Sequence, residues 1–472
     1  MSGLLDQVWT MLNRTLEVYR DNPRASHWLR RQADRLDGPL RIAVVGQQKA
    51  GKSTLVNALV GEHVAPLVAE DGPAMVWYRA GATPRATVFG RGVEPQERPA
   101  ERLGGRLSVD LGEWRGEQID RVVVDWPARG LRGMTLIDTS TMDKVAAAEA
   151  DAVLYLAQHL QAADLRLLQA MQDHPIAMAN PVGALLVLSR ADEVGAGQLD
   201  ALFGAKRLAR QHRRDARIRG LCQDVVAVTG LLAFAGRALR QPEFDALAVL
   251  AFGPRAEVDG YLLSADRFAG AEFPVAVDAE MRRALLDRLG LFGLRLSTAL
   301  IRQGFDTHTA LCAELVARSG LTELRAAIGR CFTERAPVLK ARSAAIALEV
   351  VLRMEPRPEA LGLAAELERI LAGAHDLREL RLIATLHAGY PVLPDELSAE
   401  ARQLLGGDGV SLPARLGLAE EEPTASGLRH AVVAALRRWR EQAENPILDE
   451  SARSAAAVVV RSCEGMLASV SG

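Results

Sequence analysis

Residues 46–53 read Gly-Gln-Gln-Lys-Ala-Gly-Lys-Ser, and these types at this spacing are those of a loop that cradles phosphate. Such a loop needs backbone N–H groups converging on the oxygens, a helix N-terminus aimed at them, and one positive charge. Gly46 and Gly51 let the chain wrap closely, with Gln47, Gln48, Lys49 and Ala50 lending their N–H groups. Lys52 brings the charge to the β- and γ-phosphates, Ser53 offers a hydroxyl to Mg²⁺, and Thr54 continues the turn. A second metal-side group is expected at the end of a strand. Leu136-Ile137-Asp138 supplies it, 86 positions beyond Lys52 (138 − 52). Ser53 and Asp138 are therefore the candidate Mg²⁺ residues. The third element reads the base. Residues 185–192, LLVLSRAD, form an apolar run ending in S-R-x-D, where guanine-specific sites carry [NT]-K-x-D. Asp192 keeps the acceptor for the guanine N1 and N2 hydrogens, Arg190 has an apolar stem and a planar head able to stack, and Ser189 replaces the usual Asn or Thr. Thr229, at a later strand end, is placed to close over the base. Guanine is favoured over adenine, with an ATP-using regulator as the alternative.

These groups need a sheet to align them. Residues 40–45 are a short β-rich run leading into the glycine loop, and 53–60 read as the helix after it. Further strands are expected at 75–79, 121–126, 134–138, 152–156, 184–189 and 225–229. Apolar runs of this length between helical patterns predict an α/β head with a mostly parallel, doubly wound sheet. Beyond about residue 235 the strand signals stop, and Ala-, Leu- and Arg-rich segments predict an elongated helical bundle. At the other end, Leu4, Leu5, Val8, Leu12, Leu16 and Tyr19 mark one apolar helical face that needs a partner.

Bulk properties exclude several classes. At 472 residues the chain is too long for one core. Apolar residues make up 49% and charged residues 25%, a globular balance, and the net charge of -2 gives no general attraction to nucleic acid, so no such partner is expected. Cys222, Cys312, Cys331 and Cys463 form no CxxC pair, which argues against metal and disulfide frameworks and for a reducing compartment. No stretch has the roughly 18 apolar residues of a spanning helix, and the first residues lack a signal-peptide layout. Of the five lysines, two lie in the loop.

The run 48–61, QKAGKSTLVNALVG, followed by Val64-Ala65-Pro66, resembles the opening of bacterial dynamin-like GTPases. Residues 188–197, 262–268 and 290–296 resemble the actinobacterial isoniazid-inducible branch of that family. The likeness runs from about residue 40 to about residue 300. It implies a GTPase head on a helical neck and trunk, with Mg²⁺ and GTP or GDP, and membrane work through nucleotide-driven self-association or pairing with a second dynamin-like protein. It also implies a cytoplasmic protein working peripherally at the inner face of the plasma membrane, and an N-terminal helix packed against a C-terminal one. The expected divisions are a neck helix at 1–37, the GTPase domain at 38–240, a trunk at 241–405, a linker at 406–427 and C-terminal neck helices at 428–472. Gln48 resembles the loop glutamine with which dynamins position catalytic water, so Gln48, Lys52 and Ser53 are the candidate catalytic residues.

Two departures weaken the expected catalysis. Residues 64–81, VAPLVAEDGPAMVWYRAG, contain no Thr or Ser for the first switch. The second switch reads Asp138-Thr139-Ser140-Thr141, so Thr141 stands where glycine allows a peptide flip; its N–H remains a candidate contact for the γ-phosphate. Binding with slow hydrolysis is the expectation. Weaker candidates are the basic stretch 206–219, read as a solvated helix face with anionic lipid as the alternative, and the apolar loop 389–394, read as a buried turn with a membrane tip as the alternative.

Overall fold

Ten strands assemble into one sheet in the computed structural model, which describes residues 3–65, 75–90, 92–112, 114, 118–139, 149–170, 183–198, 200–270, 273–387, 392–418 and 423–471. The strands are β1 (Leu40–Gly46), β2 (Met75–Ala80), β3 (Arg85–Gly90), β4 (Gln96–Leu103), β5 (Arg106–Val109), β6 (Ile119–Trp126), β7 (Met134–Thr139), β8 (Ala152–Ala157), β9 (Ala184–Leu188) and β10 (Val225–Ala227). Their spatial order is β10-β9-β8-β1-β7-β2-β6-β3-β4-β5. From β10 to β7 every pairing is parallel. β2 runs parallel to β6 but antiparallel to β7, and β6-β3-β4-β5 is an antiparallel wing. All seven expected strands are present. The wing β3–β5 was not expected, because Gln96–Leu103 is mostly polar, contains Pro99 and buries only Ala100. A strand that buries a single residue leaves little alternation to read.

β1 lies between β7 and β8, and all but one of its residues are buried, as a central parallel strand requires. In this register Val44 pairs with Asp138 and Gly46 with Leu156, so the loop and the acidic strand end emerge side by side.

The helices are α1 (Leu4–Val18), α2 (Pro23–Asp37), α3 (Lys52–Val60), α4 (Ala162–Ala170), α5 (Ala201–Arg214), α6 (Gly230–Ala238), α7 (Gln241–Phe252), α8 (Ala279–Arg302), α9 (His308–Ser319), α10 (Leu321–Ile328), α11 (Ala336–Met354), α12 (Leu361–Gly373), α13 (His375–His387), α14 (Asp395–Leu404), α15 (Ala425–Ala443) and α16 (Glu450–Ser471), with shorter turns between them. The N-terminal segment is two helices. Asn22 ends the first reach of chain and caps the second, its side chain accepting from the Ala25 N–H at 3.0 Å with Pro23 in the first turn.

Packing divides differently from composition. One face of the sheet shares its core with α7, α8 and α9 through residues such as Leu247, Leu285 and Leu315. The other shares it with α10 and beyond through Leu321, Leu324 and Phe332. Gly320, at φ +83°, lies so close to β10 that a Cβ there would be 2.1 Å from the Ala227 carbonyl. The head core therefore runs well past residue 240, where only the strands end. The N-terminal helix also differs from its expected pairing. Val8 and Leu12 of α1 are fully buried against α2 and the small-residue face of α11, Ala341, Ala344, Ala345 and Leu348. The C-terminal hairpin α15–α16 builds its own core with α13 and α14 around Trp439 and Val459. Residues 406–418 are docked rather than a free linker: Arg415 donates to the Leu404 carbonyl at 2.7 Å and to Glu379 at 2.7 Å.

Candidate nucleotide-binding site

β1 delivers the chain into the loop at Gly46, φ +152°, where a Cβ would lie 2.4 Å from the Leu156 carbonyl oxygen. Only glycine fits this passage between parallel strands. Lys49 adopts a left-handed φ of +63°, and Gly51, φ +91°, precedes α3 without a side-chain cap. The first N–H groups of α3 thus have no side-chain cap among the described residues, the arrangement that can hold an anion. Lys52 is 8% exposed, and its Nζ donates to the Gly46 and Gln47 carbonyls, each at 3.0 Å. Burial lowers its pKa, while Asp138 opposes the shift.

The Ser53 hydroxyl donates to Asp138 Oδ2 at 2.8 Å. Burial lifts the Asp138 carboxyl to about 6, against the hydrogen bond from Ser53 and the charge of Lys52. Two hard oxygen donors stand together beside the phosphate loop, which suits Mg²⁺ held mainly by nucleotide and water oxygens. Among the described residues no cluster of three His, Cys, Asp or Glu could hold a metal without a ligand's help. Thr139, between the strand and the second switch, donates to the Val44 carbonyl at 3.2 Å. Thr141, and residues 66–74 of the first switch, lie outside the described residues.

The two loop glutamines divide their tasks. Gln47 donates to Asp164 Oδ1 at 3.1 Å; Asp164 is fully buried and also accepts from the Tyr155 hydroxyl and the Gln161 N–H, each at 2.7 Å. Asp164 is thus an anchor for the loop that sequence reasoning missed, since a lone Asp in α4 carries no motif. Gln48 is exposed, with no hydrogen bond among the described residues.

At the base end, the loop and the S-R-x-D strand meet across one cavity of about 480 Å³, with residues 49–54 on one side and Ser189, Arg190 and Asp192 on the other. Glu193 and Leu231 also line it. The Ser189 hydroxyl is buried without a hydrogen-bond partner. Thr229, 1% exposed, faces the Asp192 carboxylate without a bond of normal geometry. Burial raises the pKa of Asp192, with Thr229 and Arg190 opposing. Arg190, at φ +53°, pairs with Glu193 at 3.2 Å in a half-exposed setting. Thr229 is fixed from outside the sheet, its N–H donating to the Ser319 carbonyl at 2.9 Å.

The far end of α3 is held by two guanidinium groups. Arg237 donates to the Ala58 and Leu59 carbonyls at 2.7 and 2.8 Å, and Arg325 to Leu59 at 2.9 Å. Of the weaker candidates, the basic stretch 206–219 is paired in part, Lys206 with Glu323 at 2.6 Å, Arg213 with Asp224 at 2.5 Å and Arg217 with Asp215 at 2.7 Å. In the loop 389–394, Leu393 is buried and residues 389–391 lie outside the described residues. No helix among the described residues is long and apolar enough to cross a membrane.

Comparison with known proteins agrees with this geometry. Residues 42–74 match the Dynamin family. The chain is 38% identical over 489 residues to the isoniazid-induced protein IniC of Mycobacterium tuberculosis, in strains CDC 1551 / Oshkosh and ATCC 25618 / H37Rv, covering 99% of each chain. Among solved structures, a chain of an oligomerised bacterial dynamin pair aligns at 13% identity and a TM-score of 0.32, over 99% of this chain and 74% of that one. The LeoA bacterial dynamin GTPase from ETEC aligns at 12% identity and a TM-score of 0.23, over 98% and 70%.

Proposed function

Because the chain belongs to the IniC-type bacterial dynamin-like proteins, a dynamin-family GTPase group, we propose that it binds GTP with Mg²⁺, hydrolyses it slowly, and uses the cycle to self-associate and remodel a membrane from its cytoplasmic face. The observation that carries the nucleotide reading is the single cavity joining the uncapped start of α3 to Asp192. The buried Ser189 hydroxyl in its wall favours a polar base edge as occupant, because a buried polar group left unpaired costs about 1–3 kcal/mol.

Lys52 and the α3 N-terminus neutralise and orient the phosphates, and Ser53 and Asp138 are the residues that would hold Mg²⁺. That ion supplies neutralisation of the charge on the β- and γ-oxygens. Slow hydrolysis follows from what surrounds the γ-phosphate. Phosphoryl transfer depends on positioning and charge stabilisation. The first switch has no Thr or Ser to offer, and the second has Thr141 in place of glycine. Gln48, exposed and without a hydrogen bond among the described residues, is a further side chain of the loop able to order water.

The same deficits favour a second reading, in which the chain is a GTP-binding assembly subunit that gates a paired dynamin-like protein. Turnover of GTP by the purified chain, alone, with anionic liposomes, and with a candidate partner, separates the two. Low intrinsic turnover that rises with liposomes supports the first reading; a rise only with partner supports the second. Rates typical of active dynamin-like proteins, lost in Lys52→Ala, would refute slow hydrolysis.

A further inference from the structure

Within the phosphate loop, residues 47–50 close a turn, the Ala50 N–H donating to the Gln47 carbonyl at 3.1 Å. Both ends of the turn are pinned. The Gln47 side chain donates to the buried carboxylate of Asp164, and Ala50 is 6% exposed. Lys49 takes the third position at φ +63°, a conformation that favours Gly or Asn and strains a longer side chain. Among the described residues only Lys49 and Arg190 are non-glycine residues at positive φ, and both line the nucleotide cavity. Strain of this kind gathers where function requires a side chain. The cationic groups of the cavity differ in their engagement. Arg190 pairs with Glu193 at 3.2 Å, and Lys52 is buried with its Nζ on the Gly46 and Gln47 carbonyls. Lys49 is exposed and makes no hydrogen bond or ion pair among the described residues. The two carboxylates that line the same cavity, Asp192 and Glu193, stand at the base end, where Thr229 and Arg190 face them.

We propose that the Lys49 ammonium is a second cationic catalytic group, supplying charge stabilisation that the two switches lack. The inference rests on the nucleotide reading above and deepens it. In hydrolysis the water oxygen bonds to the γ-phosphorus as the bond to the β–γ bridging oxygen breaks. That electron pair stays on the β-phosphate of GDP; one water proton remains on the released phosphate and the other goes to solvent. Negative charge therefore gathers on the leaving oxygen, where a cation already in place counts most. Lys52 and the start of α3 meet the charge that the triphosphate carries before reaction. A compact ammonium on a flexible four-carbon stem, rooted in a pinned turn, can meet the charge that develops during it. This role gives the lysine at a glycine-favouring position its reason.

Lys49→Gly is the test in the full chain, because glycine suits the left-handed turn and the variant is expected to melt close to the unaltered protein. Two readouts are compared. One is the affinity for fluorescent mant-GDP with and without aluminium fluoride, which mimics the phosphoryl group in transfer. The other is single-turnover GTP hydrolysis with protein in excess. Aluminium fluoride is expected to tighten GDP binding to the unaltered chain. Lys49→Gly should keep GDP affinity within about threefold, lose most of that tightening and slow hydrolysis at least about tenfold, with Lys49→Arg recovering part of both. Loss of GDP affinity as large as the loss of rate would make Lys49 a ground-state contact and overturn the catalytic role. Unchanged rate and tightening would make it a solvated loop residue and overturn the proposal outright. An unaltered chain that binds mant-GTP but shows neither hydrolysis nor tightening overturns the proposal and leaves the nucleotide reading standing. No mant-GTP binding by the unaltered chain overturns both.

Discussion

At the carboxylate of Asp192 burial raises the pKa while Thr229 and Arg190 oppose it, so in the proposed site the group would meet a base edge as a partly desolvated acceptor. An acceptor there matches the two N–H groups of guanine and repels an edge that also accepts. Asp192→Asn turns the acceptor into a donor. GTP affinity is expected to fall roughly a hundredfold, and xanthosine triphosphate to bind better than GTP, as read by calorimetry. Tighter ATP than GTP binding by the unaltered chain would refute the guanine assignment. Gly46, Gly51, Lys52, Ser53 and Asp138, which the structure brings together, were legible as a group because few other types suit a phosphate loop. Asp164 was not, since its role depends on the fold bringing α4 under Gln47. Nor was the engagement of Arg190 by Glu193, which is a matter of geometry and not of motif.

Among the elements, the C-terminal hairpin depends on one buried carboxylate. Burial alone would raise the pKa of Glu379, but His375, Arg415 and Ser462 outweigh it and hold the group at about 2. Its folded pKa is below the unfolded value of 4.5, so the stabilisation is present above that value and lost as pH falls toward 2. The shift corresponds to stability on the order of 3 kcal/mol, much of it local to the joint of α13 with α16 and residues 406–418. Acid titration from pH 5 to pH 2, followed by fluorescence of Trp439 in that core, is expected to show the hairpin loosening. Glu379→Gln should remove most of that pH dependence; an unchanged profile would refute it. Sequence reading placed these helices but treated 406–427 as linker, because glycines and prolines mark turns whether or not the turn is docked. The wing β3–β5 escaped for another reason: β4 is mostly polar, and β3 and β5, though they bury Ala86, Val88 and Leu107, are only 6 and 4 residues long.

For the whole molecule, the joint between the N-terminal helices and the sheet is a buried ion pair. Arg35 of α2 donates to Asp151 Oδ1 at 2.7 Å, with side chains 5% and 0% exposed, and the Arg41 N–H binds the other oxygen at 3.0 Å. Arg31 pairs with Glu149 at 2.7 Å alongside it. Removing one partner leaves a buried charge, so Arg35→Met is expected to cost about 3 kcal/mol and lower the melting temperature. Arg35→Met with Asp151→Leu should recover part of the loss; a neutral single variant would show the joint is not held this way. The α/β head and helical remainder were legible from apolar runs and their periods. The extent of the head was not, because Leu321, Leu324 and Phe332 look in sequence like any trunk residues. One consequence concerns α3 as a dipole. Its positive pole opens on the proposed phosphate site and its negative pole is matched by Arg237 and Arg325, the second from a helix beyond the strand-bearing region. Charges at such a terminus are worth about 1 kcal/mol. A shift of α10 that withdrew Arg325 would alter the field along α3, so the grip on the γ-phosphate and the posture of the distant helices are written into the same electrostatic element.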